Sequence, residues 1–169
     1  TMVDLPLKLG LNALFGQSVC DHLLTQKLTR RFGFRGFALE LESMPARPAT
    51  SHEGVGGRIS LLNEFRIFHD LPHRVFPPVE YAAWLRQCYQ THGLSREFGS
   101  GAPLAGATQS ATETVDSAAV AKLVVHVPGV DLATVIQALE RQHPDRHAYQ
   151  LHLPLAHPAL PAAVTVARH

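Results

Sequence analysis

The chain has 169 residues, of which 46% are hydrophobic and 17% are charged, and its net charge is +1 with the histidines neutral. This length and apolar content allow a buried core, while the near-neutral charge without a basic stripe disfavours nucleic-acid binding. The sequence has no apolar run long enough for a membrane span, and Cys20 and Cys88 lack metal-ligand spacing, so we expect a soluble, cytoplasmic protein without a cofactor.

The charged fraction is below the roughly 25% typical of soluble domains, which favours a surface partly covered by a protein partner or by a second copy. The chain also has 11 histidines. Because the ordinary pKa of histidine lies near 6.5, a pH-dependent assembly is left open.

The densest basic cluster is interpreted as a solvated helix end, with a phosphate-binding patch as the alternative. It comprises Lys27, Arg30, Arg31 and Arg35.

We predict a short strand and then a long helix at the start of the chain. TMVDLPLKL is interpreted as a short strand, and Pro6, which cannot donate a hydrogen bond to a neighbouring strand, confines it to a sheet edge or to the approach to a helix. Apolar residues recur every three or four positions over residues 9–32, which predicts an amphipathic helix. Gly33 follows as a C-terminal cap, while Gly10 and Gly16 weaken the first turns.

Two antiparallel strands are predicted next. FRGFALELES alternates, with Leu39 and Leu41 on the inward face. Residues 44–57 are rich in proline and glycine, which predicts a loop. RISLLNEFRIFHD then alternates as the second strand with Glu64 on its outward face, although a helix over residues 59–68 is left open.

A second helix is predicted after Pro77 and Pro78, since proline suits the first turn of a helix. It ends at Gly93. Residues 94–117 then change to a composition rich in Gly, Ala, Ser and Thr, which predicts a flexible linker.

The last part of the chain predicts a strand, a helix and two further strands. AVAKLVVHV is a nearly continuous apolar run, which indicates a strand buried on both faces. In PGVDLATVIQALERQH, Asp131 is the predicted N-cap of a helix. AYQLHLPLA alternates, and AAVTVARH is interpreted as a closing strand.

This order predicts an α+β fold, namely a two-layer sandwich of a mostly antiparallel sheet with helices on one face. The first six elements follow the ferredoxin-like β-α-β-β-α-β order, and an extra α-β-β follows. We divide the chain into an N-terminal α/β half over residues 1–93, the linker over residues 94–117, and a C-terminal β-α-β-β half over residues 118–169. The two halves are expected to share one core. A duplication is left open, although no residue-level similarity links the halves.

The stretch FRIFHDLPHRVFPPVEY carries the candidate polar site. Histidine together with carboxylates suits a first-row metal or acid/base chemistry. Because Pro72 prevents a regular helix here, the two histidines cannot share a rigid helical face. We interpret these residues as a turn and solvated side chains and assign no metal, with a polar, metal-binding site as the alternative. The four candidates are His69, Asp70, His73 and Glu80.

Aromatic residues lie within this stretch and in the helix predicted after it. The favoured interpretation is that they form a helix–sheet core, and the wall of a pocket or an interface is the alternative. The five candidates are Phe65, Phe68, Tyr81, Trp84 and Tyr89.

Signatures of nucleophilic and nucleotide chemistry are missing from the sequence. It contains neither GxSxG nor SxxK, and EGVGGR precedes a strand rather than a helix, so it cannot place a helix N-terminus on a phosphate. Glu40 and Glu42 lie on one strand face about 7 Å apart, which we interpret as a solvated pair. The C-terminal histidines are interpreted as an incidental surface patch.

Two functions from different classes follow. We favour a non-enzymatic protein-interaction or assembly module of a bacterial cytoplasmic complex, which forms a homodimer or docks on a larger partner, because no catalytic constellation is complete. The alternative is a small enzyme or ligand-binding domain, in which a small molecule binds at the four candidate polar residues. Membranes and nucleic acids are not expected as partners.

Overall fold

The chain forms two compact units, Thr1–Leu71 and Pro72–His169. A computed structural model describes residues 5–45 and 57–168. Both units mix helices and strands, so the prediction of an α+β chain with antiparallel strands is confirmed. Over these residues, the strands form three sheets rather than one ferredoxin-like sheet.

In its described part, the first unit is a three-stranded antiparallel sheet with two helices. Its elements are α1 (Leu5–Lys8), β1 (Ala13–Val19), α2 (Leu24–Arg31), β2 (Arg35–Pro45) and β3 (Arg58–Ile67). β3 lies between β1 and β2 and pairs antiparallel with each. The predicted pairing of β2 with β3 is therefore confirmed. Most of the predicted loop, residues 46–56, lies outside the described residues.

The prediction of a single helix over residues 9–32 is wrong, because this segment contains the strand β1. The predicted short strand at the start of the chain is also wrong at residues 5–8, which form the helix α1. The apolar spacing of this segment fits a strand as well as a helix. Gly10, with φ of +71°, and Gly16 both weaken a helix here. Residues 13–19 form a strand because they pair antiparallel with β3.

β2 is an irregular strand. Its register against β3 shifts next to Phe37 and again around Glu42, whose φ is +49°. Residues on either side of a shift change the face on which they lie. Leu39 and Leu41, predicted to point inward, are consequently 55% and 73% exposed.

Among its described residues, the second unit contains two sheets and three α-helices. Its elements are β4 (His73–Val75), α3 (Val79–Thr91), β5 (Arg96–Phe98), β6 (Gln109–Val115), β7 (Val120–Val127), α4 (Leu132–Gln142), β8 (Ala148–His152) and α5 (Leu160–Ala167). β4 and β5 pair in parallel, while β7 pairs antiparallel with β6 and parallel with β8. Within the described ranges, no helix is long and apolar enough to cross a membrane.

The core of the second unit lies between β7, α4 and α5. Leu123 on β7 and Leu132 on α4 are the largest fully buried apolar side chains. Burying one leucine contributes about 1.5–3 kcal/mol, so these two are central to the stability of the unit. The buried cluster comprises Ala121, Leu123, Val125, Leu132, Leu139 and Ala163.

Residues 94–117, predicted as a flexible linker, contain β5 and β6. Thr108 fastens the segment, because its backbone N–H donates to Asp131 Oδ1 at 2.7 Å and its Oγ1 accepts from the Gly129 N–H at 3.0 Å. Gly129 has no room for a side chain, since a Cβ there would lie 2.3 Å from Thr108 N. Asp131 does precede α4, but its carboxylate holds Thr108 and caps no N–H of the helix.

α5 overturns the predicted closing strand AAVTVARH. Pro161 stands in the first turn, where proline is favoured, and alanine is the best helix former. Leu160 and Ala163, three positions apart, are buried on the same helix face. Val164 and Val166, whose alternation predicts a strand, therefore lie on a helix.

Candidate functional site

The structure places the four predicted polar residues in different units. His69 and Asp70 follow β3 at the end of the first unit, whereas His73 begins β4 and Glu80 lies in the first turn of α3. Over residues 5–45 and 57–168, no three His, Cys, Asp or Glu side chains are grouped so as to hold a metal ion. A shared polar site of these four residues stays a prediction.

Glu80 is engaged at the start of α3. One of its carboxylate oxygens lies 2.5 Å from Arg168 Nη1, and Arg168 Nη2 donates to the Tyr81 hydroxyl, also at 2.5 Å. The pKa of Glu80 lies below its ordinary value, because the carboxylate accepts a hydrogen bond from its own backbone N–H and pairs with Arg168. Glu80 is therefore ionised at neutral pH and links the start of α3 to the residue after α5.

The predicted aromatic residues also divide between the units. In the first unit, the Phe65 ring lies 5.1 Å from that of Phe15. In the second unit, Tyr89 packs edge-on against Phe98 at 6.3 Å, and burial raises the pKa of its hydroxyl. Trp84, by contrast, is 58% exposed. The aromatic side chains thus belong to separate local clusters.

A cavity of about 560 Å³ lies in the second unit between α3, the loop after β5 and α5. Gly99 lines the cavity and has no room for a side chain, because a Cβ there would lie 2.3 Å from the Phe76 ring. Of its charged groups, Arg86 lies over the Phe98 ring at 4.3 Å, and Glu80 is paired as described above. The charged lining is thus already engaged within the chain.

Glu64 on β3 is fully buried, although the alternation of the sequence predicts it on the outward face. Its Oε2 accepts a hydrogen bond from the Ser18 hydroxyl on β1, which is also fully buried. The Thr29 hydroxyl on α2 lies 3.0 and 2.8 Å from the two carboxylate oxygens. A buried carboxylate requires such donors, so this cluster orients α2 on the sheet.

α2 turns polar side chains toward the sheet and apolar ones outward. Thr29 reaches Glu64, and Gln26 Nε2 donates to the Val19 carbonyl of β1 at 3.1 Å. Leu24 and Leu28, one turn apart, are 75% and 50% exposed. A surface helix ordinarily places its apolar stripe on the core, so the amphipathicity of α2 is inverted.

The basic residues Lys27, Arg30 and Arg31 of α2 are exposed, as predicted for a solvated helix end. Arg30 and Arg31 stand in its last turn, where a positive charge opposes the helix dipole. This accounts for the basic cluster without a ligand.

Exposed apolar side chains are far more numerous in the first unit than in the second. Scattered exposed hydrophobic residues are normal, whereas concentrated ones mark an interaction surface. In the first unit they are Leu5, Leu7, Leu9, Leu11, Phe15, Leu23, Leu24, Leu28, Phe32, Leu39, Leu41 and Leu71. In the second they are Val79, Tyr81, Trp84, Val130 and Tyr149.

Comparison with known proteins gives no relative. No family model matches the sequence, and no curated protein or solved structure is significantly similar to the chain.

Proposed function

We propose that the chain is a non-enzymatic interaction module that self-associates through its first unit. The observation that carries the proposal is the inverted α2, which exposes Leu24 and Leu28 while Thr29 points to the buried Glu64. Because the hydrogen bonds of Thr29 to Glu64 and of Gln26 to the Val19 carbonyl hold α2 in this orientation, the helix cannot turn to bury its leucines without losing both. A second copy would remove this apolar surface from water.

The charge of the chain supports a second copy as the partner. The net charge is +1, and only 17% of the residues are charged. Two copies therefore repel each other little, and proteins with net charge near zero tend to associate.

The test is the mass of the protein in solution, measured by sedimentation equilibrium from micromolar to submillimolar concentration. We expect the wild-type mass to rise from 18.5 kDa toward that of a dimer. In Leu24→Ser/Leu28→Ser we expect monomers throughout, because the exposed apolar stripe is gone. The fold should persist, since both leucines are largely exposed, and circular dichroism checks this.

A matched variant changes two exposed valines of the second unit, Val79→Ser/Val130→Ser, whose side chains are 89% and 69% exposed in the wild type. This variant should dimerise like the wild type. A wild-type protein that stays monomeric at every concentration, or an equal loss in both variants, would overturn the proposal.

A further inference from the structure

β1 is an edge strand of the first unit's sheet, since β3 lies between β1 and β2. Backbone groups in an antiparallel pair point alternately toward and away from the partner strand. The Phe68 N–H donates to the Asn12 carbonyl at 2.8 Å, and the Cys20 N–H donates to the Ser60 carbonyl at 3.0 Å. At both ends of β1, therefore, the even-numbered residues face β3.

The odd-numbered residues of β1 consequently direct their backbone N–H and C=O groups away from β3. These residues are Ala13, Phe15, Gln17 and Val19. The Val19 carbonyl accepts a hydrogen bond from the Gln26 side chain. For the other three, no further strand of the described part of the chain pairs with this edge, which leaves a row of outward backbone groups.

β1 also lacks the features by which proteins protect a sheet edge, namely charges, proline and bulges. Its sequence ALFGQSV has none of the first two, and its register against β3 is regular. β2, at the opposite edge, carries charged residues and two register shifts. β6, an edge of a sheet in the second unit, carries Glu113 and a register shift. β1 differs from both.

We infer that β1 of one copy pairs antiparallel with β1 of a second copy, so that the two sheets become one. This rests on the proposed self-association and names the surface that mediates it. The register places Phe15 opposite Phe15 of the other copy and Ala13 opposite Gln17. This register uses the three residues with outward groups and leaves Val19 bonded to Gln26.

Two properties of β1 suit a second copy better than a different partner. The strand is uncharged, so it meets itself without like-charge repulsion. Phe15 is 57% exposed and lies 5.1 Å from Phe65, whose ring lies 5.4 Å from that of Phe37. Pairing about a two-fold axis extends this aromatic row into the other copy and covers Phe15. Since α2 packs on β1, the axis also brings the two α2 helices to the same face of the joined sheet.

The decisive variant is Gln17→Pro, with Gln17→Ala as its matched control. Both remove the side-chain hydrogen bond of Gln17 to Asn63 Oδ1 at 2.9 Å. Only proline removes the outward N–H, and proline is tolerated on an edge strand where that group faces away from the partner. Sedimentation equilibrium should show dimers for the wild type and Gln17→Ala, and a complete loss of dimer for Gln17→Pro at the same concentrations.

Hydrogen exchange of the wild type provides a second measurement that needs no variant. Exchange of the Phe15 amide should slow as the protein concentration rises, whereas the Gly16 amide, directed toward β3, should be protected at all concentrations. If Gln17→Pro does not fold, this measurement decides alone.

The outcomes separate the two proposals. A wild-type dimer with Phe15 exchange independent of concentration, or a Gln17→Pro variant that dimerises normally, would overturn the pairing of β1 and leave self-association standing. A wild-type monomer throughout would overturn self-association itself.

Discussion

At the scale of single residues, Glu64 connects three elements of the first unit, because its carboxylate lies on β3 and its donors lie on β1 and α2. Ser18 is 46 positions away in sequence and Thr29 is 35 positions away. A prediction from the alternation along β3 uses only the polarity of each residue, so it places Glu64 on the solvent face. Its burial depends on these distant hydroxyl groups, which no local pattern reveals.

We expect Ser18→Ala to lower the free energy of unfolding by about 1–3 kcal/mol, since it leaves a buried carboxylate short of one donor. Denaturant titration of the variant measures the change. Ser110→Ala, at an exposed position of β6, is the control and should change stability by no more than about 0.5 kcal/mol. An equal effect of the two substitutions would contradict the role assigned to Ser18.

Asp131 shows the same dependence on a distant partner. The sequence places it correctly before α4, but it does not predict that the carboxylate binds Thr108, 23 positions earlier. Hydrogen bonds from the side chain and then the backbone N–H of Thr108 hold the pKa of Asp131 below its ordinary value. A group whose pKa is lowered by folding stabilises the protein above its ordinary pKa, near 3.9, and loses that contribution as pH falls through the folded value.

We therefore expect Asp131→Asn to be less stable than the wild type at neutral pH, with the difference shrinking as the pH falls below about 4. Unfolding by denaturant across this range measures it. Glu140→Gln, at an exposed position of the same helix, should track the wild type at every pH. A difference for Asp131→Asn that is constant with pH would show that the carboxylate charge does not matter.

At the scale of elements, periodicity predicts the type and position of several helices and strands correctly. β2, β3, α3, β7 and α4 all lie where alternation or helical spacing places them. The sequence predicts the wrong type for β1, which lies within the predicted helix over residues 9–32, and for α5, because their apolar spacing fits both a strand and a helix. Their type is decided by pairing with β3 and by packing on α4, which are tertiary interactions.

Composition does not predict the two strands within residues 94–117, for a related reason. Small and polar residues indicate flexibility only where nothing binds the backbone. Here the backbone of Thr108 is held by Asp131, and β6 pairs with β7 over most of its length. This contact requires a small residue, because Gly129 lies too close to the Thr108 backbone for a Cβ.

At the scale of the whole molecule, the two units differ in how they use apolar residues. The buried apolar residues of the described chain lie mainly in the second unit, where β7, α4 and α5 enclose a core. In the first unit, Leu61 is buried while many leucines are exposed. Average composition could not predict this difference, because it counts apolar residues without regard to where they lie.

Self-association predicts that the stability of the first unit depends on protein concentration. A partner that binds only the folded state adds a stabilisation that grows with its concentration by mass action. We expect amide exchange along β3 to slow with increasing concentration by a larger factor than exchange along β7. Hydrogen exchange at several concentrations measures both strands in one sample, and an equal response of the two would contradict a dimer formed by the first unit.

The two register shifts of β2 bear on how large an assembly can become. A sheet with two regular edges could add copies without end and grow into a filament. Here the edge formed by β2 is distorted around Phe37 and Glu42 and carries charges. A strand of a third copy therefore cannot pair regularly with this edge. Growth through β1 alone therefore closes at a pair.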